Sequence, residues 1–278
     1  MKTFKTFFLL TILIFFSSCT KDDNKIDFTF LQINDVYEIA PMQGGEFGGM
    51  ARVETVHQEL LQENPNTMLF LAGDFLNPSL LGTIKVDGKR VKGKQMVEVM
   101  NAMNFDLVAF GNHEFDVSQK ELQKRLNESN FPWISANVKL DTHEKAISFY
   151  KEREETQVPI NETFIKEFSD EDGTTIKVGF ISVCIPSNPK EFVEYGNMFV
   201  KARAAYATLK DSVDVVFGLT HVKLANDKRI AKLIPDLPLI MGGHEHTNKY
   251  EKVGNTIIAK ADANAKTAYI HRISFDKK

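Results

Sequence analysis

Cysteine is nearly absent from this 278-residue chain: Cys19 and Cys184 are its only two, too few for a disulfide scaffold. Neither sign of charge dominates, with 34 Lys and Arg against 37 Asp and Glu, so nothing favours binding of nucleic acid through its phosphate backbone. The charged runs are short and mixed and read as solvated surface. No stretch after residue 20 approaches the roughly 20 apolar residues that span a bilayer. Internal repeats and Gly/Ser/Pro-rich linkers are missing too. At 43% hydrophobic residues the composition excludes a disordered polymer. What is left is one domain of catalytic size, expected over residues 26–278.

The first 25 residues stand apart. Lys2 and Lys5 form a basic head, an apolar run follows from Phe7 to Phe16, and Ser17-Ser18 precede Cys19. The run is too short for a transmembrane helix and reads as the core of a secretory signal over residues 1–18. Small residues before a cysteine resemble the bacterial lipobox, where the chain is cut ahead of the cysteine and its thiol is lipidated; Phe16, three places before Cys19, is an unusual residue there. Residues 19–25 then read as a lipid-anchored tether, and Lys21-Asp22-Asp23 resembles an export signal of surface lipoproteins. The expectation is an exported protein on the cell envelope, periplasmic or cell-surface, that touches membrane through its lipid alone. Cys184 is thereby left without a disulfide partner and, inside the apolar run 178–185, reads as a small core residue.

Short apolar runs alternate with helical periodicity along the rest of the chain. Strands are expected at 26–33, 67–72, 106–110, 133–138, 176–183, 213–219 and 237–241, most of them apolar on both faces. Amphipathic helices are expected at 51–63, 94–103, 120–129, 202–210 and 227–233. Such alternation predicts an α/β protein with helix-covered sheets, closed by an antiparallel edge within 257–275. The polar stretch 142–168 reads as a surface insertion with an edge hairpin, and the basic stretch 83–93 as a solvated hairpin tip.

The chemistry collects where strands end. Asp35 follows the first, Asp74 the second, Asn112 and His113 the third, His221 a later one, and His244 and His246 the last. Ligands of open α/β sheets bind at the carboxyl ends of the strands, so these residues converge on one crevice. Carboxylate, amide and imidazole donors together suit borderline divalent ions such as Mn, Zn, Fe or Co. An aspartate with two free oxygens, Asp74, can bridge two ions roughly 3.5–4 Å apart, the arrangement that activates water for phosphoryl displacement. Glycines beside the ligands, Gly73, Gly111, Gly242 and Gly243, would serve tight turns. Singly, each Asp is more often a turn residue and each His a core or surface residue, which is the reading for His57, His143 and His271. Five such motifs in order at strand ends are a pattern that turns and caps do not produce.

The series Asp35, Gly73-Asp74, Gly111-Asn112-His113-Glu114, His221, Gly243-His244-Glu245-His246 resembles the calcineurin-like metallophosphoesterase superfamily, and Asn112-His113-Glu114-Phe115-Asp116 its bacterial 5′-nucleotidase branch. The resemblance runs from about Phe28 to Phe275. It implies a four-layer α/β/β/α sandwich of two mixed sheets and a centre of two divalent metal ions. Asp35, Asp74 and His246 would hold the first ion; Asp74, Asn112, His221 and His244 the second. His113 would stabilise the transition state or protonate the leaving oxygen, oriented by Asp116, with metal-held hydroxide as nucleophile. The implied activity is hydrolysis of phosphate monoesters, most of all nucleotides; a cyclic-nucleotide or UDP-sugar phosphodiesterase and a non-catalytic subunit are the alternatives.

Two departures stand out. Where the family usually has Asp-x-His, this chain has Asp35-Val36-Tyr37, so the first ion would take Tyr37 phenolate, Glu38 or water in place of an imidazole. The resemblance to 5′-nucleotidases also covers only their N-terminal half, with about thirty residues left after His246. The nucleoside-gripping domain would then come from a separate chain, or the substrates would be esters without close nucleoside recognition.

Overall fold

The structure is a computed structural model that describes residues 24–187 and 189–277. The expected signal over residues 1–18 and the lipidation site at Cys19 lie outside the described residues. Two sheets stack face to face. The first contains β1 (Lys25–Ile33), β2 (Thr67–Leu71), β3 (Leu107–Ala109), β4 (Trp133–Ile134) and, last in the chain, β11 (Tyr269–Asp276), in the order β11-β1-β2-β3-β4. The second contains β5 (Thr163–Ser169), β6 (Thr175–Ile181), β7 (Val215–Thr220), β8 (Leu239–Gly242), β9 (Lys249–Val253) and β10 (Thr256–Lys260), in the order β5-β6-β7-β8-β10-β9. The inner strands of both sheets run parallel, and β11, β5 and β9 close edges antiparallel.

Parallel strands need covering on both faces, and the apolar runs supply three cores. Between the sheets Phe28, Phe30, Phe70, Phe168, Phe180 and Phe217 are buried, with Phe30 and Phe70 edge-on at 5.0 Å and Phe28 stacked on Phe168 at 5.1 Å. Each such ring contributes roughly 1.5–3 kcal/mol of burial energy. Outside the first sheet lie α1 (Met50–Glu63), α2 (Lys94–Ala102) and α3 (Gln119–Glu128); α1 buries Met50, Val53, His57 and Leu60, one stripe at helical spacing. Outside the second lie α4 (Met198–Leu209) and α5 (Leu224–Leu233). Side chains start two of these helices: Ser118 Oγ accepts from Glu121 N, and Asn197 Oδ1 from Phe199 N and Val200 N. The architecture is the four-layer sandwich, and no helix among the described residues is long and apolar enough to cross a membrane.

Two local expectations change. The stretch 142–168 is more than a surface insertion: the hairpin Tyr150–Arg153 and Thr156–Pro159 is there, but Thr163–Ser169 is an edge strand of the second sheet, and its Phe168 belongs to the inter-sheet core. Only Trp133–Ile134 of the strand expected at 133–138 joins the first sheet; Val138–Asp141 pairs elsewhere, with Val193–Tyr195 and Ala146–Ile147. The antiparallel edge expected within 257–275 is β11, paired with β1, while β10 runs parallel to β8. The stretch 83–93 carries the exposed hairpin Lys85–Val86 and Lys89–Arg90. Cys184 is buried among apolar side chains, and burial, with the charges of Asp74 and Glu114, holds its thiol well above the usual range.

Candidate metal centre

β1, β2, β3, β7 and β8 run parallel within their sheets and deliver their last residues to one end of the sandwich. Backbone hydrogen bonds hold those ends together: Asp35 N donates to Gly73 O at 3.0 Å and Gly243 N to Thr220 O at 2.9 Å. The chain turns sharply there. Asp35, Asp74 and His244 have φ of 53°, 63° and 82°, a left-handed conformation costing about 1–2 kcal/mol for a residue with a side chain. Strain at three neighbouring loop residues persists because the loops aim their side chains at a common point.

Of the four glycines expected to serve turns, only Gly73 has positive φ, at 80°. The others are glycine because of close approach. A Cβ on Gly111 would lie 2.1 Å from Asp74 Oδ1, and one on Gly243 would lie 2.2 Å from the Ala72 carbonyl oxygen.

At the common point Asp35, Asp74 and His221 are buried, and one ligand atom from each lies within 4.8 Å of the others. His221 Nδ1 is 2.7 Å from the Ala72 carbonyl, which only accepts, so Nδ1 bears a proton and Nε2 is the nitrogen turned to the carboxylates. Nε2 lies 3.0 Å from Asp74 Oδ2 and 3.9 Å from Asp35 Oδ1. Asp35 Oδ1 is a buried oxygen without a hydrogen-bond partner. Acceptors aimed at one another in a buried pocket call for a cation between them. Burial works against charge on His221, yet Asp74 and Asp35 outweigh it and push its pKa up to about 10, so that a proton stands where a metal would. Burial likewise opposes ionisation of Asp74, but His221 and the His113 backbone amide hold its carboxyl below the usual range. The donor set fits divalent ions on these grounds.

The remaining ligand candidates surround this trio. His246 Nε2 lies 3.4 Å from Asp35 Oδ1, with its side chain 55% exposed. His244 Nδ1 lies 3.1 Å from Asn112 Oδ1, and the His244 ring stands edge-on to His221 at 5.4 Å. Tyr37 is buried; its hydroxyl donates to Asp74 Oδ2 at 3.2 Å and sits 3.4 Å from His246 Nε2. Burial, and next the charges of Asp74 and Asp35, keep its phenol protonated far above the usual range. The Glu38 carboxylate turns instead to Leu80 N, at 3.3 Å.

Beside the trio, His113 N donates to Asp74 Oδ1 at 2.7 Å, and His113 Nδ1 lies 2.5 Å from Asp116 Oδ2. Asn77 Nδ2 also reaches Asp116 Oδ2, at 3.3 Å. All the residues expected at the site therefore meet at one end of the fold. His57 is buried on α1, His143 is exposed, and His271 Nε2 donates to Gln32 Oε1 at 3.0 Å on β11, away from the cluster.

Sequence reasoning missed the residues that brace the ligands. Asn34 Nδ2 donates to Asp35 Oδ2 at 2.7 Å, and Asn34 Oδ1 accepts from Ala261 N. Asn264 Oδ1 accepts from Tyr37 N at 2.8 Å. Glu114, fully buried, accepts from the amides of Asp74, Phe75, Leu76 and Gly111, so one carboxylate ties the second and third ligand loops together. Burial, then the Asp74 charge, raise its pKa to about 7. Its one local signal was its place in the run Gly111-Asn112-His113-Glu114, directly after two candidate site residues.

The profile of the family described as calcineurin-like phosphoesterase matches residues 28–248. Over 284 residues, 92% of this chain, the sequence is 25% identical to the trifunctional nucleotide phosphoesterase protein YfkN of Bacillus subtilis (strain 168), of which it covers 18%. It is 29% identical over 207 residues to human 5′-nucleotidase, covering 73% of this chain and 33% of that one. The chain thus spans a third or less of the length of these relatives. The crystal structure of calcineurin-like phosphoesterase YfkN from Bacillus subtilis superposes with a TM-score of 0.73 at 20% identity, covering 91% of this chain and 86% of that one, and shows the same fold.

Proposed function

The chain belongs to the calcineurin-like phosphoesterase family, and from that premise we propose that it hydrolyses phosphate monoesters, nucleotides foremost, at a centre of two divalent ions. The observation that carries this reading is the buried, mutually facing set Asp35 Oδ1, Asp74 Oδ2 and His221 Nε2 with the His113–Asp116 pair beside it. Asp35, Asp74, His246 and Tyr37 would surround one ion; Asp74, Asn112, His221 and His244 the other. Bound there, the ions would supply Lewis acidity and a water of lowered pKa.

The protein side of the reaction falls to His113. Asp116 accepts the hydrogen bond from His113 Nδ1–H and orients the ring, which would leave Nε2–H to face the ester. As the bond from phosphorus to water forms and the ester P–O bond breaks, Nε2 gives its proton to the departing oxygen. Asp74 fixes the His113 backbone as well as the metals, so the acid and the ion sites share one support. Nucleotides are favoured as substrates because the relatives named above act on them.

The test is phosphate release from AMP and from an aryl phosphate by the purified, manganese-loaded protein. Asn112→Ala should abolish release from both substrates, and His113→Ala should sharply reduce release from AMP; full activity on AMP in either variant would sink the proposal.

Export and lipid attachment at Cys19 belong to the same reading, supported by the residues before that cysteine. Cys19→Ala should lose a metabolic fatty-acid label; a variant that keeps the label overturns lipidation at this residue.

A further inference from the structure

Lys260 is fully buried at the end of β10, between Ala259 and Ala261, where a parallel strand would ordinarily carry an apolar residue. Its Nζ lies 2.5 Å from the Val222 carbonyl, 2.8 Å from the Gly243 carbonyl, 2.5 Å from Glu245 Oε2 and 2.8 Å from Asp227 Oδ2. The first three acceptors belong to the two imidazole-bearing loops of the second sheet, and Asp227 stands on α5. Val222 follows His221; Gly243 precedes His244; Glu245 stands between His244 and His246.

The two carboxylates extend the brace. Asp227 Oδ1 accepts from Thr220 Oγ1 at 2.7 Å, immediately before His221, and Glu245 Oε1 accepts from Leu224 N at 2.6 Å. The lysine stem fills the space beside Gly242, where a Cβ would come within 2.8 Å of Lys260 Cε. A single ammonium therefore gathers two backbone carbonyls and two carboxylates around the loops that present three imidazoles.

Buried ionic clusters are poor stabilisers, since apolar residues of similar volume often serve stability as well or better. Fixed geometry is what such a cluster provides, because each N–H direction is committed to one loop. We propose that Lys260 is a positioning residue that sets the spacing of the His221 and His244–His246 loops and thereby the affinity of the metal centre. This inference rests on the metal-centre reading above and adds a residue that touches neither ion nor substrate.

Titration of the full-length protein with cobalt(II) tests it, followed by calorimetry and by the visible d–d absorption, which reports ligand geometry independently of turnover. Glu245→Ala and Lys260→Met should each weaken cobalt binding about 10–100-fold and alter the spectrum. Arg125→Met removes another buried cation, one that braces the Val91 and Lys92 carbonyls, and should lower the melting temperature with cobalt binding unchanged. Wild-type affinity and spectrum in Glu245→Ala and in folded Lys260→Met would overturn the proposal, as would an equal loss in Arg125→Met. Should Lys260→Met fail to fold, Glu245→Ala decides alone. A wild-type protein that binds no cobalt would overturn the metal-centre reading itself, whereas normal wild-type binding shared by the variants overturns only the role of Lys260.

Discussion

His113 Nδ1 lies 2.5 Å from Asp116 Oδ2, three residues along a single turn of 3-10 helix, while the His113 amide donates to Asp74 Oδ1. Imidazole and metal-site carboxylate are thus fixed by one backbone segment. If His113 delivers a proton to the leaving oxygen, His113→Ala should lose roughly 10²–10⁴-fold in kcat on AMP, the size of a general-acid contribution. The loss on an aryl phosphate with an acidic leaving group should be much smaller, because that oxygen departs without a proton. Equal losses on both substrates would assign His113 to charge stabilisation instead.

In the proposed centre Asp74 would contribute to both ion sites, so its substitution should empty both. Manganese at about 100 times its dissociation constant should stabilise the wild-type protein by roughly 2.7 kcal/mol for each ion site. Asp74→Asn should show no manganese-dependent rise in melting temperature, as read by differential scanning calorimetry. A full rise in the variant would remove Asp74 from the ligand set.

Tyr37 donates its hydroxyl to Asp74, and its place among the ligands is the least determined by geometry. Ferric ion added to the protein should give no tyrosinate charge-transfer band, and Tyr37→Phe should keep the metal content with a loss in kcat below about tenfold. A visible band that disappears in Tyr37→Phe would establish phenolate ligation.

Gly111 has no room for a methyl group beside Asp74. Gly111→Ala should cost about 1–3 kcal/mol in urea unfolding, the range for overpacking, and displace Asp74 enough to reduce activity by more than tenfold. A variant with unchanged stability and activity would show that the two loops move apart freely.

His271 provides a pH dependence away from the metal centre. Burial holds its pKa down at about 4, against 6.5 for the free side chain. Between those values the unfolded chain binds more protons than the folded one, so stability rises with pH from about 4 to 6.5 and falls on acidification. The cost of this one group at pH 5 is about 2 kcal/mol. His271→Gln keeps a donor for Gln32 Oε1 and should flatten that part of the pH profile in urea melts; an unchanged slope would mean that His271 titrates normally.

Much of this was legible beforehand because it is local. Phe28 to Ile33 and Met68 to Leu71 are apolar on both faces, which marks buried parallel strands, and the polar residue ending each run marks the ligand loop. The strand Thr163–Ser169 was misread because its outer positions are polar, and only antiparallel pairing with Thr175–Ile181 buries Phe168. The braces were invisible for another reason. Asn264 meets Tyr37 across 227 residues, and Glu114 acts on backbone amides that carry no sequence signal.

By itself the amino-acid sequence determined the alternation of strands and helices and the positions of Asp35, Asp74, Asn112, His113, His221, His244 and His246 at strand ends, since hydrophobic periodicity and turn chemistry act over a few residues. Tertiary structure alone decided that His221 Nε2 faces two carboxylates, that Gly111 and Gly243 are glycine for want of space, and that a buried Lys260 joins two loops. Those facts depend on how two separately formed sheets stack, and stacking is set by the summed burial of side chains far apart in the chain, which no short stretch of sequence records.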